Sequence, residues 1–318
     1  LCSDEHYAAA KRIAEEGIVL LKNSKVSKKE GPVLPIDTKR VKKVLIVGEN
    51  ALKMMTVGGG SSSLKVQKEI IPFDGLKARL EKEGVEVSYQ RGYVGDIGGE
   101  YNGVKTGQDL SETRSAEQLT TDACEAAKSA DVVIFIGGLN KADHQDAEGT
   151  DRESFDLPYG QNQVVEALAK ANPHLVYVNI SGNAAHLSFV KQVPAIVQGW
   201  FNGSEAGEAI ASVLCGDANP SGKLPMTWND KLDDYGAHAL NTYPGTWRDE
   251  KKEIIDEVYE EGIYVGYRWN DLKKIKPVFA FGHGLSYTTF QISNLRQSAD
   301  TMTKDGKMTF TVNVKNTG

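Results

Sequence analysis

Between Gln145 and Pro158 the chain reads QDAEGTDRESFDLP. Asp146, Glu148, Asp151, Glu153 and Asp156 share this short stretch, with Asp143 just ahead of it and Arg152 in its midst. Such a loop is either a solvated turn or the carrier of a catalytic carboxyl group. The chemistry open to it is general acid–base catalysis. Breaking a glycosidic bond, for instance, takes two carboxyl groups: one protonated to donate to the leaving oxygen, the other ionised to attack carbon or activate water. The donor needs a raised pKa, from burial or from nearby negative charge, and a dense acidic loop supplies the second cause. Composition alone does not choose among these carboxylates.

Other chemistries find less support. The run GGGSSS, Gly58 to Ser63, has small residues that let backbone and a hydroxyl approach a polar ligand closely. It lacks the spacing of a phosphate-binding P-loop, and VLIVGEN (Val44–Asn50) is not followed by a dinucleotide fingerprint. A flavodoxin-like nucleotide binder is the weakest of the functional readings. No G-x-S-x-G elbow is present, and neither Ser181 nor Ser286 has an evident base partner. Cys2, Cys124 and Cys215 are scattered and form no C-x-x-C, which argues for free thiols over a disulfide framework or a zinc site. The histidines form no H-E-x-x-H. A formal net charge of −6 argues against a nucleic-acid groove or an anionic membrane surface. No apolar run reaches the roughly 18 residues of a membrane helix. The N-terminal residues leave the compartment open.

The frame for these loops follows from hydrophobic periodicity. Apolar residues at helical spacing (Ala9, Ile13, Ile18, Leu21) predict a helix from His6 to Leu21. Further helices are expected over Phe73–Glu83, Glu117–Ala130, Gly160–Ala171 and Ser204–Leu214. Between them stand the runs VLIVG, EVSYQ, DVVIFIGG, HLVYVNIS and AIVQ. Most are continuously apolar, as in strands buried on both faces, so the chain reads as an α/β unit with a mostly parallel sheet under helices. In such sheets the working loops sit at the carboxyl ends of the strands. GENALKMMTVGGGSSS, GGLNKADHQDAEGTDR, SGNAAH and NGSEAGEA occupy those places. The acidic stretch therefore follows a central strand. From Glu250 the texture turns aromatic and glycine-rich, and Phe290–Gly318 alternates like the first strands of a β-sandwich.

Several segments carry a resemblance. EEGIVLLKN (Glu15–Asn23), VLPI (Val33–Ile36), VGENA (Val47–Ala51) and GGGSS precede AEGTDR (Ala147–Arg152), with Leu157–Pro158 after it. GDANPSGKLPMTW (Gly216–Trp228), YEEGIYVGYRW (Tyr259–Trp269) and FAFGHGLSYTTF (Phe279–Phe290) follow. In this order and spacing they resemble the C-terminal half of glycoside hydrolase family three, the β-glucosidases. The resemblance implies a flavodoxin-like α/β sandwich over residues 31–289. Residues 1–30 would be a linker and first helix outside a missing barrel, and 290–318 the incomplete start of a fibronectin type III-like domain.

In that family a (β/α)₈ barrel carries the nucleophilic aspartate, in Ser-Asp-Trp, and a sugar-gripping Lys-His pair. This chain has neither motif and lacks the roughly 250 residues that a barrel takes. Carried over by position, Glu148 matches the general acid/base. Asp151 and Arg152 match the Asp-Arg after it, with Arg152 expected to pair with Asp151 or another loop carboxylate. Ser61, beside Gly60, matches a contact to the glycosyl unit, and Trp247 is a candidate for the leaving-group subsite. The implied function is a retaining, exo-acting β-glycosidase, foremost a β-glucosidase acting on β-glucosides or cello-oligosaccharides, with this chain inactive alone. Its implied partners are the substrate, the barrel and a second copy in a homodimer, with no cofactor, metal, nucleic acid or membrane, in a periplasmic or secreted setting. The alternative is a noncatalytic carbohydrate-binding or scaffolding module of the same fold. Tyr264, Tyr267, Trp269, Phe279 and Phe281 are expected to pack, Arg268 and His283 to be buried and satisfied. SGNAAHLSFV around Gly182 and FNGSEAGEA depart from the family pattern, which leaves the leaving-group preference open.

Overall fold

The computed structural model describes residues 2–95, 100–101 and 104–318. It forms two compact units, Leu1–Leu285 and Ser286–Gly318.

The first unit is built on a six-stranded sheet. Its strands are β1 (Val19–Asn23), β2 (Lys43–Val47) and β3 (Glu86–Gln90), then, after the small ribbon β4 (Glu100–Tyr101) and β5 (Val104–Lys105), β6 (Val132–Gly138), β7 (Leu175–Ile180) and β8 (Ala195–Gln198). The spatial order is β1-β8-β7-β6-β2-β3. Every pairing is parallel except β1 with β8. Leaving β1 aside, the order is that of flavodoxin-like sheets. All residues of β6 and β7 are buried, as their unbroken apolar sequences require of strands covered on both faces.

Helices cover both faces. α1 (Asp4–Gly17), α2 (Pro72–Glu81) and α5 (Ala206–Cys215) pack together, while α3 (Ala116–Ala127) and α4 (Gln161–Ala171) form a second pair. α2 and α5 meet through glycines: a Cβ on Gly75 would lie 2.1 Å from the backbone carbon of Gly207. No helix is long and apolar enough to cross a membrane. The remaining elements of this unit are α6 (Gly236–Ala239), a ribbon of β9 (Thr246–Trp247) with β10 (Ile255–Asp256), and α7 (Tyr267–Lys273). The second unit pairs β11 (Phe290–Gln297) with β12 (Phe310–Asn316) in one antiparallel ribbon.

Several expectations are corrected. The first helix ends at Gly17, not Leu21, and Ile18 is already extended. Ile18, Val19, Leu20 and Leu21 are all buried, whereas Ile13 stays exposed. Glycine followed by β-branched Ile and Val ends a helix and starts a strand, and the pull of the core overrides the 3.6-residue pattern. Val19–Asn23 then joins the sheet as its antiparallel edge, so residues 1–30 do not stand apart from the sandwich. Trp269 and Phe279 are buried, but Tyr264, Tyr267 and Phe281 are exposed. Arg268 is also exposed, donating to the Ile263 carbonyl and lying 5.4 Å from the Tyr267 ring centroid, while the His283 ring bonds the Leu21 carbonyl at 2.7 Å.

Candidate active site

β2 leads through α2 on one face of the sheet, and β6 leads through α4 on the other. Their C-terminal loops therefore part company at the β2/β6 boundary, the topological switch point where α/β sheets open a crevice. Gly48, just after β2, and Gly138, the last residue of β6, are glycines that the geometry demands. A Cβ on Gly48 (φ +108°) would lie 2.2 Å from the Ile136 carbonyl oxygen, and one on Gly138 (φ +112°) 2.2 Å from that of Ile180. The loop after β2 carries Gly58–Ser63; the loop after β6 carries the acidic stretch.

The β2 loop is held from below by buried charge. Glu49 takes Lys53 Nζ at 2.6 Å on one carboxylate oxygen and Arg91 Nη2 at 2.6 Å on the other. Further on, the Glu69 carboxylate accepts the Met55 N–H at 2.5 Å and the Thr56 hydroxyl. Leu64 N–H bonds the Thr56 carbonyl at 2.9 Å, and the Ser63 hydroxyl accepts Gly58 N–H at 2.9 Å. Gly60–Ser62 form a single 3₁₀ turn inside this closed loop. The β6 loop is braced in its own way. Gln161 spans Gly138 by accepting its N–H and donating to its carbonyl, each at 2.8 Å. The Gln145 side chain accepts Asn140 N–H at 2.9 Å and donates to Tyr159 at 2.8 Å.

Glu148 is where the two loops meet. Its N–H donates to the Gly59 carbonyl at 3.3 Å. Its Oε2 accepts the Ser61 N–H at 2.6 Å and also the Ser61 hydroxyl. Glu148 is exposed. The Ser61 hydroxyl foremost, and then its N–H, hold the carboxyl below the ordinary glutamate range against a desolvation cost. The raised pKa expected of a proton donor is therefore absent from this chain: the neighbouring loop carboxylates do not outweigh two donors aimed at the ionised form.

Beside Glu148 lies a cleft of about 490 Å³ whose walls include Ser62, Lys141, Asp146, Asp151, Arg152 and Phe201. A second cleft of about 320 Å³ shares Asp151, Arg152 and Asn183 with it. Asp146 ties the acidic loop to the loop after β7, accepting Gly182 N–H at 2.7 Å and the Asn183 amide at 3.0 Å. Asp151 accepts the Tyr243 hydroxyl at 2.5 Å.

Of the expected pairing of Arg152 with Asp151 or another loop carboxylate, the structure shows no close ion pair among the described residues, but the charge of Asp146 acts on it. Its guanidinium lies 5.5 Å from the Phe155 ring centroid, and its Nη1 is buried without a hydrogen-bond partner. Burial pushes its pKa down, partly offset by the charge of Asp146. Lys141, over the Phe201 ring at 5.6 Å, is likewise pushed down by burial.

The structure thus joins Glu148 to the Gly59–Ser61 turn and lines the two neighbouring clefts with Asp151 and Arg152, while Glu148, Gly60 and Ser61 themselves line neither. Trp247 lies exposed on the β9–β10 ribbon and likewise lines neither cleft. Tyr243, from the same YPGTW segment, arrives instead. Sequence reasoning gave no special weight to Asp146 or Lys141; Asp146, like Asp156 at His186, ties the acidic stretch to the loop after β7. Trp200 packs, donating its indole N–H to the Gly17 carbonyl at 2.9 Å. Among the described residues no group of three His, Cys, Asp or Glu side chains is arranged to hold a metal ion.

Comparison with known proteins bears on this opening. The profile of the glycosyl hydrolase family 3 C-terminal domain matches residues 18–267. Beta-glucosidase BoGH3A of Bacteroides ovatus is 47% identical over 320 residues, which cover 100% of this chain and 41% of that protein. Thermostable beta-glucosidase B of Acetivibrio thermocellus is 33% identical over 318 residues, covering 99% of this chain and 37% of that protein. The crystal structure of the Bifidobacterium adolescentis GH3 beta-glucosidase superposes with a TM-score of 0.79 at 30% identity, over 100% of this chain and 41% of that one. The chain thus spans about two-fifths of the length of these relatives. With its switch-point loops, its flavodoxin-like strand order and a match across most of its length, the chain belongs to glycosyl hydrolase family 3, as the C-terminal domain of that family.

Proposed function

We propose that this chain supplies the general acid/base, Glu148, of a retaining β-glucosidase. The carboxylate nucleophile would come from a (β/α)₈ barrel in the rest of the polypeptide. The observation that supports the proposal is that Glu148, on the loop after β6, is held by Ser61 of the facing loop, with its neighbour Ala147 and the facing Ser62 lining a cleft. In the first step the barrel carboxylate attacks the anomeric carbon. The glycosidic C–O bond breaks, and Glu148 gives its proton to the leaving oxygen. In the second step Glu148, now ionised, takes a proton from water as the water displaces the enzyme carboxylate, with net retention. Retention needs the two carboxyl groups about 5 Å apart, so a second negative charge would face Glu148 in the assembled enzyme. That charge raises the Glu148 pKa, opposing the donors of Ser61. An acid that is ionised in this chain alone becomes protonatable beside its partner. Without the partner the chain has a proton donor but no nucleophile, and is inactive.

Two features support the further site assignments. The buried, unpartnered Nη1 of Arg152 suits an oxygen acceptor on the leaving group, the side of the bond that Glu148 protonates. Asp151, fixed by Tyr243, shapes the cleft wall. Gly60 and Ser61 are kept as the contact to the glycosyl unit on the resemblance alone. Trp247 contacts the leaving group only if a longer substrate extends to its ribbon. The β-glucoside substrate rests on the names of the relatives, which are beta-glucosidases.

The test is Glu148→Gln in the full-length protein. We expect kcat/KM to fall about 10²- to 10⁴-fold for glucosides with poor leaving groups, and far less for activated aryl glucosides that need little protonation. Equal losses for both would contradict the assignment.

A further inference from the structure

We infer that Ser61 is a positioning residue for Glu148: its N–H and its hydroxyl both engage Oε2, which makes Oε1 the oxygen that carries the transferable proton. The inference rests on Glu148 being the acid/base and adds which oxygen acts and what selects it. A hydroxyl can turn and become an acceptor, but a backbone N–H can only donate. The Ser61 N–H lies 2.6 Å from Oε2. A proton on that oxygen and in that direction would meet the amide hydrogen head-on. Protonating Oε1 leaves both Ser61 bonds intact, with Oε2 as the carbonyl oxygen of the acid.

The same two donors steady the side chain. Glu148 is exposed and has three rotatable bonds above its Cα, so an untethered carboxyl would sample many orientations. The tether reaches across 87 residues of sequence, from a turn pinned by Glu69 and Ser63. The loop itself is locked to that turn by Glu148 N–H on the Gly59 carbonyl. The Glu148 N–H and its Oε2 thus both engage the stretch from Gly59 to Ser61. A donor acting on the ionised form also favours Glu148 as a base in the second step.

Other charges surround the loop. Asp143, Asp146, Asp151 and Glu153, with His144 and Arg152, lie on the Glu148 loop itself. Lys141 flanks Gly59, and Tyr243 reaches in at Asp151. The Gly58–Ser63 turn carries no titratable side chain. All of these stay in place when only the Ser61 hydroxyl is removed.

The experiment compares Ser61→Ala and Ser61→Thr in the full-length protein, by the pH profile of kcat/KM on a glucoside with a poor leaving group. Glu148 must be protonated in the first step, so its titration sets the alkaline limb. Removing a donor to the ionised form raises that pKa. Ser61→Ala should move the limb upward by about half a unit to one unit. It should also slow poor leaving groups about tenfold, with little effect on activated ones. Ser61→Thr, which keeps both donors, should leave the limb where it is. An unmoved limb in Ser61→Ala, with KM raised equally for all leaving groups, would overturn the inference and make Ser61 a sugar contact alone. Should the alanine variant misfold, Ser61→Gly removes the same hydroxyl and is read in the same way. Glu148→Gln, run alongside, separates the two claims. If it lacks leaving-group dependence, the acid/base assignment itself fails; if it shows that dependence while the Ser61 limb stays still, only the role of Ser61 falls.

Discussion

Arg152 keeps a buried guanidinium nitrogen without an acceptor, and this is costly. A charged donor left unmatched among Phe155, Asn183 and the acidic loop is better explained by an acceptor that arrives than by the fold. In the full-length protein, Arg152→Met should lower kcat/KM about tenfold or more for disaccharides, whose second sugar offers oxygens. Aryl glucosides without such oxygens should change little; steady-state kinetics on both substrate types would check this. Legibility at this scale was uneven. AEGTDR singled out Glu148 by resemblance, yet nothing in the sequence tied it to Ser61, because the bond joins loops on two different strands. Among the described residues no loop carboxylate forms a close ion pair with Arg152, for a local reason: Tyr243 occupies Asp151, and Asp146, whose charge still acts on Arg152, is hydrogen-bonded to Gly182 and Asn183. Trp247 was the candidate for the leaving-group subsite, but it lies exposed on the β9–β10 ribbon and lines neither cleft.

The strands were the most legible elements. VLIV, VVIFIGG and LVYVNI are unbroken apolar runs, and burial on both faces permits little else. EVSYQ was found in full as β3. The first helix was overextended because Ile18 and Leu21 happen to fall on its period, while their burial belongs to an edge strand. Helix packing left less trace: nothing in the sequence pairs Gly75 with Gly207. That contact makes a stability prediction. Gly75→Ala would drive a Cβ into the Gly207 backbone, which cannot swing aside. Overpacking of this kind costs about 1–3 kcal/mol. The midpoint of urea unfolding should drop with the slope unchanged, and an unaltered midpoint would show that α2 and α5 separate freely.

On the scale of the whole molecule, the division of labour follows from what the chain holds. It presents a carboxyl group on a braced loop at a switch point, in a family whose named relatives are more than twice its length. The proposed enzyme forms its reacting pair only when a second domain brings a carboxylate to that opening. The acid, its tether and the leaving-group side of the site are then contributed from here. The most direct test of that claim is azide rescue of Glu148→Gln in the full-length protein, using an activated aryl β-glucoside. Azide needs no general base, so it can take up the glycosyl group from the enzyme where water no longer can. The account predicts that azide restores turnover of the variant and yields β-glucosyl azide, while leaving the wild type unaccelerated. Turnover of the variant that azide does not change, with glucose as the sole product, would contradict Glu148 as the acid/base.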